Sequence, residues 1–424
     1  MRQRVAYVAT GACLLAAVLV SATLTGWNGL FDLRVYRGAV SFWLAGGDLY
    51  AYLLPGSPYG FTYPPAAAIL MAPLAVAPWP VAVGASFVVS AAALTGVLSW
   101  LVGPLTARTG WPPGAVLLCA TAGAAMLDPV RAVFSFGQVN LVLLGLVAAD
   151  LGLLVARRHR LAGIGIGLAA AVKLVPLVFV LYLLATRRYR AAATAAATFG
   201  AAGALTAAVA PDASRRYWLG ALFELRRVGE PGFVFNQSLY GALVRLLPDA
   251  AAVPAWVVLS AVLAAAWCWA VRRTGDVRLG LALTGALGCL CSPISWGHHL
   301  VWLIPALVVL AEAGAVAVAG GAWTVLCSRL IWTTEGDRAI VAAVVGNVYV
   351  LASLALFAAL LRTATETGDA PHPPAASAAG STPNPAAFKS GDGAPDPATA
   401  KASGGTPGPT AALTAAAPQA QRHP

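Results

Sequence analysis

Residues 157–190 read RRHRLAGIGIGLAAAVKLVPLVFVLYLLATRRYR, an apolar stretch closed at both ends by basic clusters and broken inside at Lys173-Leu174-Val175-Pro176. Arginine clusters that border apolar runs collect on the cytoplasmic side of a membrane. Both ends of the stretch then lie on one side, so the chain between them must enter and leave there. A pair of short helices meeting at the lysine–proline break is the simplest solution, because irregular backbone at membrane depth needs protein or a cavity around it.

The rest of the chain agrees with a membrane setting. Hydrophobic residues make up 59% of the 424 residues and charged residues 10%, and the mean hydropathy is +0.77, outside the range of soluble domains. Uncharged runs long enough to cross a bilayer recur at 5–26, 63–103, 111–127, 250–271 and 340–361. The start at Met1-Arg2-Gln3-Arg4 has the charge of a signal peptide, but the run that follows is too long and lacks a small-x-small cleavage site, so it is read as a helix. The formal charge of +11 does not point to nucleic acid. The basic residues sit in short clusters between apolar runs, at Arg2 and Arg4, 157–160, 187–190 and Arg272-Arg273, rather than in one patch interleaved with aromatics.

Placing those clusters inside puts the N-terminus inside, with 27–62, 128–137, 212–249 and 292–299 outside and 104–110 inside. The expectation is an all-α polytopic membrane protein of about ten to twelve helices. Residues 1–361 form the membrane domain, and 362–424, rich in Pro, Ala, Gly, Ser and Thr, form a disordered tail. Cysteines 13, 119, 268, 289, 291 and 327 show no CxxC or metal-ligand spacing and read as packing residues.

A charge at membrane depth costs roughly 2.5–3.5 kcal/mol on insertion scales, so polar residues gathered at one level are candidates for function. They gather in the outer segments, as GWNGLFDLRVYRG, YGFTYPP, LDPVRAVFSFGQVN, FNQSLYGALVR and SPISWGHHLVW. The inner segments carry no GxxxxGK[ST], no GxGxxG and no DxD, so nothing there would hold a nucleotide.

The ordered set FDLRVYRGA, GGDLY, FTYPPAAAILMAPLA, FGQVNLVLLGLVAAD, GIGLAAAVKLVPLVF, NQSLYGALVR and SPISWGHHLVWLIP, spread over roughly residues 5–360, resembles glycosyltransferase family 87 of the GT-C superfamily. The resemblance implies a GT-C-like bundle with an extracytoplasmic catalytic cavity in the plasma membrane. It also implies an inverting, polyprenyl-phosphate-mannose-dependent α-(1→2)-mannosyltransferase of the actinobacterial envelope. Its acceptor would be a mannosylated glycolipid or lipoglycan, with no cofactor, no metal and no nucleic-acid partner. The competing class is a secondary transporter or lipid-carrier flippase, although such proteins place broken helices in two related halves and only one broken hairpin is visible here.

The resemblance assigns Asp32, the acid after the first helix, as the general base toward an acceptor hydroxyl; the structural alternative is an N-cap of the segment that follows. A departing polyprenyl phosphate gains negative charge and needs preset cations or donors, for which Lys173, Arg131, His299 and His298 are the candidates. Arg131 could instead anchor a helix end, and Lys173 could pair with Asp150. On a helix, adjacent histidines point apart, so one should reach the site, His299 by preference, while the other packs. Two histidines without a paired carboxylate suit a hard cation poorly. Gln138, Asn140, Asn236 and Gln237 are amides that could read sugar hydroxyls or simply cap helices, and Tyr36 and Trp296 are possible sugar or acceptor contacts. Tyr63-Pro64-Pro65 reads as structural, fixing a helix entry. Arg215, Arg216, Arg226 and Arg227 would meet an anionic headgroup or merely solvent. Asp48 and Asp128 are the reserve acids.

Overall fold

The computed structural model describes residues 28–333 and 339–368. The expected first helix at 5–26 and the tail beyond residue 368 lie outside the described residues. Helices of eight residues or more are numbered α1 to α16 in chain order. They are α1 (Phe31–Leu44), α2 (Pro65–Val76), α3 (Trp79–Leu101), α4 (Pro113–Ala125), α5 (Asp128–Phe136), α6 (Asn140–Ala149), α7 (Ile164–Val172), α8 (Val178–Ala185), α9 (Tyr189–Val209) and α10 (Pro211–Leu219). The second half holds α11 (Leu239–Leu246), α12 (Asp249–Arg273), α13 (Val277–Cys291), α14 (Ile304–Glu312), α15 (Val316–Ser328) and α16 (Val348–Gly368). The described residues contain no strand beyond two isolated bridges, Leu53 with Gly60 and Asn236 with Trp296. Prolines mark many of the starts: Pro65 opens α2 as the YPP reading expects, because a first-turn residue has no N–H partner to lose.

Among the described residues α3, α9, α12 and α16 are long and apolar enough to cross a membrane, and α4 with α5, bent by 73°, would make a fifth span. Six shorter apolar segments fill the spaces between them. The chain is an all-α multi-pass membrane protein. Two boundaries differ from expectation. The last helix runs to Gly368 rather than ending at Leu361, because Thr363 and Ala364 are buried against the bundle. The stretch 212–249, expected outside, is not an open loop, since it carries most of α10 and all of α11.

At the centre stands α13, buried on every side from Leu279 to Leu287, as a helix apolar all round must be. It packs on α12, α14 and α16. A Cβ at Gly285 would come within 2.7 Å of the Trp302 carbonyl, so only glycine allows that approach. A smaller aromatic core, with Tyr36, Tyr50, Phe61, Tyr63 and Tyr217, joins α1, α2 and α10. Val139 and Val172 touch both cores, and the polar site lies along this seam.

The break at Lys173 is present. α7 stops at Val172, Lys173 is extended at φ −150° and ψ 135°, and a 3₁₀ turn at Val175–Leu177 leads into α8. The alternative pairing of Lys173 with Asp150 does not form. Asp150 instead accepts the backbone N–H groups of Gly163 (2.8 and 3.0 Å) and Ile166 (2.9 Å), at the opposite end of α7. Nine helical residues put about 13 Å between those ends, beyond the reach of an ion pair.

Candidate active site

The N-cap of α1 is Leu30, in the left-handed region at φ 56°, and not Asp32. Backbone bonding explains the shift: Leu30 N–H donates to the Ser135 carbonyl (2.9 Å), and the Asn28 amide donates to Ser135 Oγ (2.8 Å), so α1 is started by its contact with α5. Asp32 falls in the first turn, where the exposed helix N–H groups favour a carboxylate. One face of α1 buries Leu33, Val35, Tyr36, Ala39 and Val40, while Arg34 and Arg37 stack over Trp79 at 5.3 and 6.0 Å. The segment is amphipathic.

Asp32 lines a cavity of about 200 Å³ together with Tyr36, Tyr63, Gln138, Lys173, Trp296, His298 and His299. Segments 27–62, 128–137, 212–249 and 292–299, all assigned to one side by the basic clusters, therefore meet at this cavity. Gly137 makes the meeting possible. It ends α5 in the left-handed region at φ +71°, and a Cβ there would lie 2.6 Å from Leu33 Cβ. The turn presents Gln138 to Asp32.

The side chains form a connected network. Gln138 Nε2 donates to Asp32 Oδ2 (2.8 Å), and Gln138 Oε1 accepts from Tyr63 OH (3.0 Å) and Asn140 Nδ2 (3.4 Å). Because Tyr63 spends its proton on Gln138, Tyr36 OH donates to Tyr63 OH across 2.7 Å. Lys173 Nζ reaches Asn140 Oδ1 (3.1 Å), Tyr63 OH (3.4 Å) and His299 Nε2 (2.7 Å), which engages all three of its N–H groups. A lysine donor on Nε2 leaves the other ring proton of His299 on Nδ1, and His299 also hydrogen-bonds the Ile294 backbone. Burial pushes the Asp32 carboxyl up to about 6, against the hydrogen bond from Gln138 and the charge of Lys173, which hold it down.

Both histidines line the cavity, which corrects the expectation that one would turn away. Residues Gly297–Leu303 form a 3₁₀ helix around which the cavity bends, so the rings lie 4.8 Å apart with different surroundings. His299 faces Lys173. His298 sits between Phe136 (5.6 Å) and Phe235 (5.8 Å), and both its nitrogens are buried without a hydrogen-bond partner among the described residues. Trp296 lines the same wall, stacked on Phe235.

Other expected residues are elsewhere. Arg131 does not reach this cavity; it pairs with Asp128 (3.6 Å) and donates to the Cys327 carbonyl (3.1 Å) in a neighbouring one. Arg131 leaves α5 toward that neighbouring space, whereas Phe136, further along the helix, lines both. Asn236 donates to the carbonyls of Pro231 (2.9 Å) and Pro293 (3.1 Å) and accepts from Ser295 N–H (2.8 Å). Gln237 donates to Val234 and Gly346 carbonyls and accepts from Val350 N–H. Both amides are fully buried and satisfied, so they hold loops together and line neither this cavity nor the neighbouring one. The reserve acids are also committed: Asp48 pairs with Arg216 (3.6 Å) and caps Tyr50 N–H (2.9 Å), and Asp128 takes Arg131, Arg329 (3.2 Å) and Tyr349 OH (3.3 Å).

Tyr63 is the functional candidate that sequence reasoning passes over. The proline entry signal beside it hides it, although a tyrosine placed next to polar outer loops is a hint. Arg227, one of four loop arginines, also lines the cavity, held by the Tyr50 carbonyl (2.7 Å) and Glu224 (3.2 Å). Among the described residues no three His, Cys, Asp or Glu side chains come together as metal ligands.

Comparison with known proteins gives a consistent picture. The model of glycosyltransferase family 87 matches residues 61–293, so Asp32 and the histidine pair flank the matched stretch. A polyprenol-phosphate-mannose-dependent alpha-(1-2)-phosphatidylinositol mannoside mannosyltransferase of Mycobacterium tuberculosis is 36% identical over 305 residues, covering 67% of this chain and 70% of that protein. Its namesake from Mycolicibacterium smegmatis is 36% identical over 319 residues, 68% and 72% of the two chains. A polyprenol-phosphate-mannose-dependent alpha-(1-2)-phosphatidylinositol pentamannoside mannosyltransferase of Mycolicibacterium smegmatis is 36% identical over 300 residues, 68% and 71%.

Proposed function

The chain belongs to glycosyltransferase family 87, and from that premise we propose that it transfers mannose from polyprenyl-phosphate mannose to a phosphatidylinositol mannoside or related envelope glycolipid, forming an α-(1→2) linkage. Glycosyl transfer, the chemistry of the family, sets aside the transporter and flippase reading. The observation that carries the proposal is the single cavity in which Asp32 faces Lys173 and the two histidines.

Asp32 takes the proton of the attacking acceptor hydroxyl as the bond to the anomeric carbon forms. The Gln138 amide keeps one carboxylate oxygen occupied and leaves the other for the acceptor. The polyprenyl phosphate departs on the opposite face with the electron pair of the broken C–O bond. His298, with two unpartnered nitrogens, is the group best placed to meet it by hydrogen bond. Lys173, whose donors are already engaged, acts by its charge and through His299. The donor sugar is β-linked and the product α-linked, so a single displacement suffices and no covalent sugar forms on Asp32. Tyr36 and Trp296 offer the sugar a hydroxyl and an aromatic face. In this reading the charge on the departing phosphate is met by Lys173 and His298. The cavity faces the extracytoplasmic side of the plasma membrane, opposite the basic clusters.

The test is incubation of the purified protein with polyprenyl-phosphate mannose and a panel of phosphatidylinositol mannosides, followed by linkage analysis. An α-(1→2)-mannosylated product supports the reading. Uptake of a solute by proteoliposomes, without any transfer, would overturn it.

A further inference from the structure

Behind the Phe136 and Phe235 rings, which stack at 6.0 Å and line both spaces, lies a second cavity of about 200 Å³. Its polar wall is Asn28, Asp128, Arg131, Ser135 and Arg329, and Trp332 adds an aromatic face. None of these groups has a role in the transfer step. We propose that this second cavity is a sugar subsite that holds a non-reacting ring of the acceptor, next to the ring that receives the mannose. The inference rests on the mannosyltransferase reading and deepens it.

Three properties of the cavity select a sugar. The first is charge: Arg131 and Arg329 both pair with Asp128, so half of the positive charge is compensated and the wall presents guanidinium donors beside a carboxylate acceptor. A polyol suits it, because each hydroxyl can accept from a guanidinium and donate to a carboxylate. The second is an unsatisfied donor. Arg131 Nε is buried without a hydrogen-bond partner among the described residues, on a side chain only 16% exposed. The third is size and shape. The volume lies below the roughly 300–1,000 Å³ that drug-sized ligands fill, which leaves room for one ring, and Trp332 and Phe235 offer faces for its C–H groups. Position adds a fourth, since Phe136 and Phe235 line both spaces and make them neighbours.

The experiment compares kcat/KM for a synthetic alkyl monomannoside and the matching alkyl dimannoside, with polyprenyl-phosphate mannose as donor. The wild-type protein should favour the dimannoside by at least about tenfold, the value of one or two good polar contacts. Arg131→Gln should bring that ratio close to one. Because this change also disturbs the Asp128 cluster, Ala132→Leu is the second variant: it keeps every polar group and fills the cavity from α5. It should flatten the ratio in the same way. A dimannoside advantage that survives in folded Ala132→Leu protein, or its absence in the wild type, would overturn the subsite alone. Transfer to neither acceptor by the wild-type protein would overturn the mannosyltransferase reading and the subsite with it.

Discussion

Replacing Asp32 with asparagine separates catalysis from structure more sharply than any other change to this molecule. The amide would keep the shape of the side chain and an oxygen for Gln138 Nε2, which now sits 2.8 Å from the carboxylate, but could not take a proton from the acceptor. Loss of a general base costs about 10²- to 10⁴-fold in rate, equivalent to about 2.7–5.5 kcal/mol of barrier. Stability should move the other way. Burial raises the Asp32 carboxyl from 3.8 to about 6, and each pH step is worth about 1.4 kcal/mol, so holding the charge at pH 7 costs the fold at most about 3 kcal/mol. The sign follows from the raised value: the cost is absent below pH 3.8, grows as pH rises toward 6, and is complete above it. Asparagine removes that cost and loses about 0.3–1 kcal/mol of favourable charge at the helix start. The Asp32→Asn variant should therefore melt at the same temperature as wild type or higher at pH 7, with transfer reduced at least about 100-fold. In the wild type kcat/KM should rise with pH through about 6, and this limb should vanish in the variant. Radiolabelled transfer to the natural acceptor, followed from about pH 4.5 to 8, measures both. Near-normal transfer by the variant, or an unchanged acid limb, would refute the assignment.

Tyr63→Phe removes the shorter of the two side-chain hydrogen bonds that hold Gln138 Oε1, leaving the 3.4 Å one from Asn140. The amide can then turn its oxygen toward Asp32, which should move the acid limb to higher pH and slow transfer about tenfold at about pH 6, with little change above about pH 8. Lys173→Ala and His298→Ala should each lower kcat more than they raise KM for the acceptor, because the charge they meet grows on the leaving phosphate, and steady-state kinetics over acceptor concentration would show the split. Asn236→Ala strips two carbonyls and one N–H of their partner and should cost about 1–3 kcal/mol of stability, while kcat of the folded fraction holds, as thermal unfolding and activity per folded molecule would report.

The membrane setting and the break at Lys173 are legible in the chain, because each depends on residues that are neighbours in sequence. Hydropathy and basic flanks act over a single run, a proline stops a helix where it stands, and motif order survives without coordinates. Partnership is a different matter. Tyr63 meets Gln138 across 75 residues, Asp32 meets Gln138 across 106, and Lys173 meets His299 across 126, distances that no local pattern encodes. Only packing could decide that Gln138 holds the carboxylate while Gln237, an equally polar amide near a helix start, spends every bond on backbone. Packing also placed Arg131 in the neighbouring cavity, where it pairs with Asp128 and donates to the Cys327 carbonyl. What a buried polar group does is set by which donors and acceptors the fold leaves within about 3 Å of it, and that is a property of the assembled bundle.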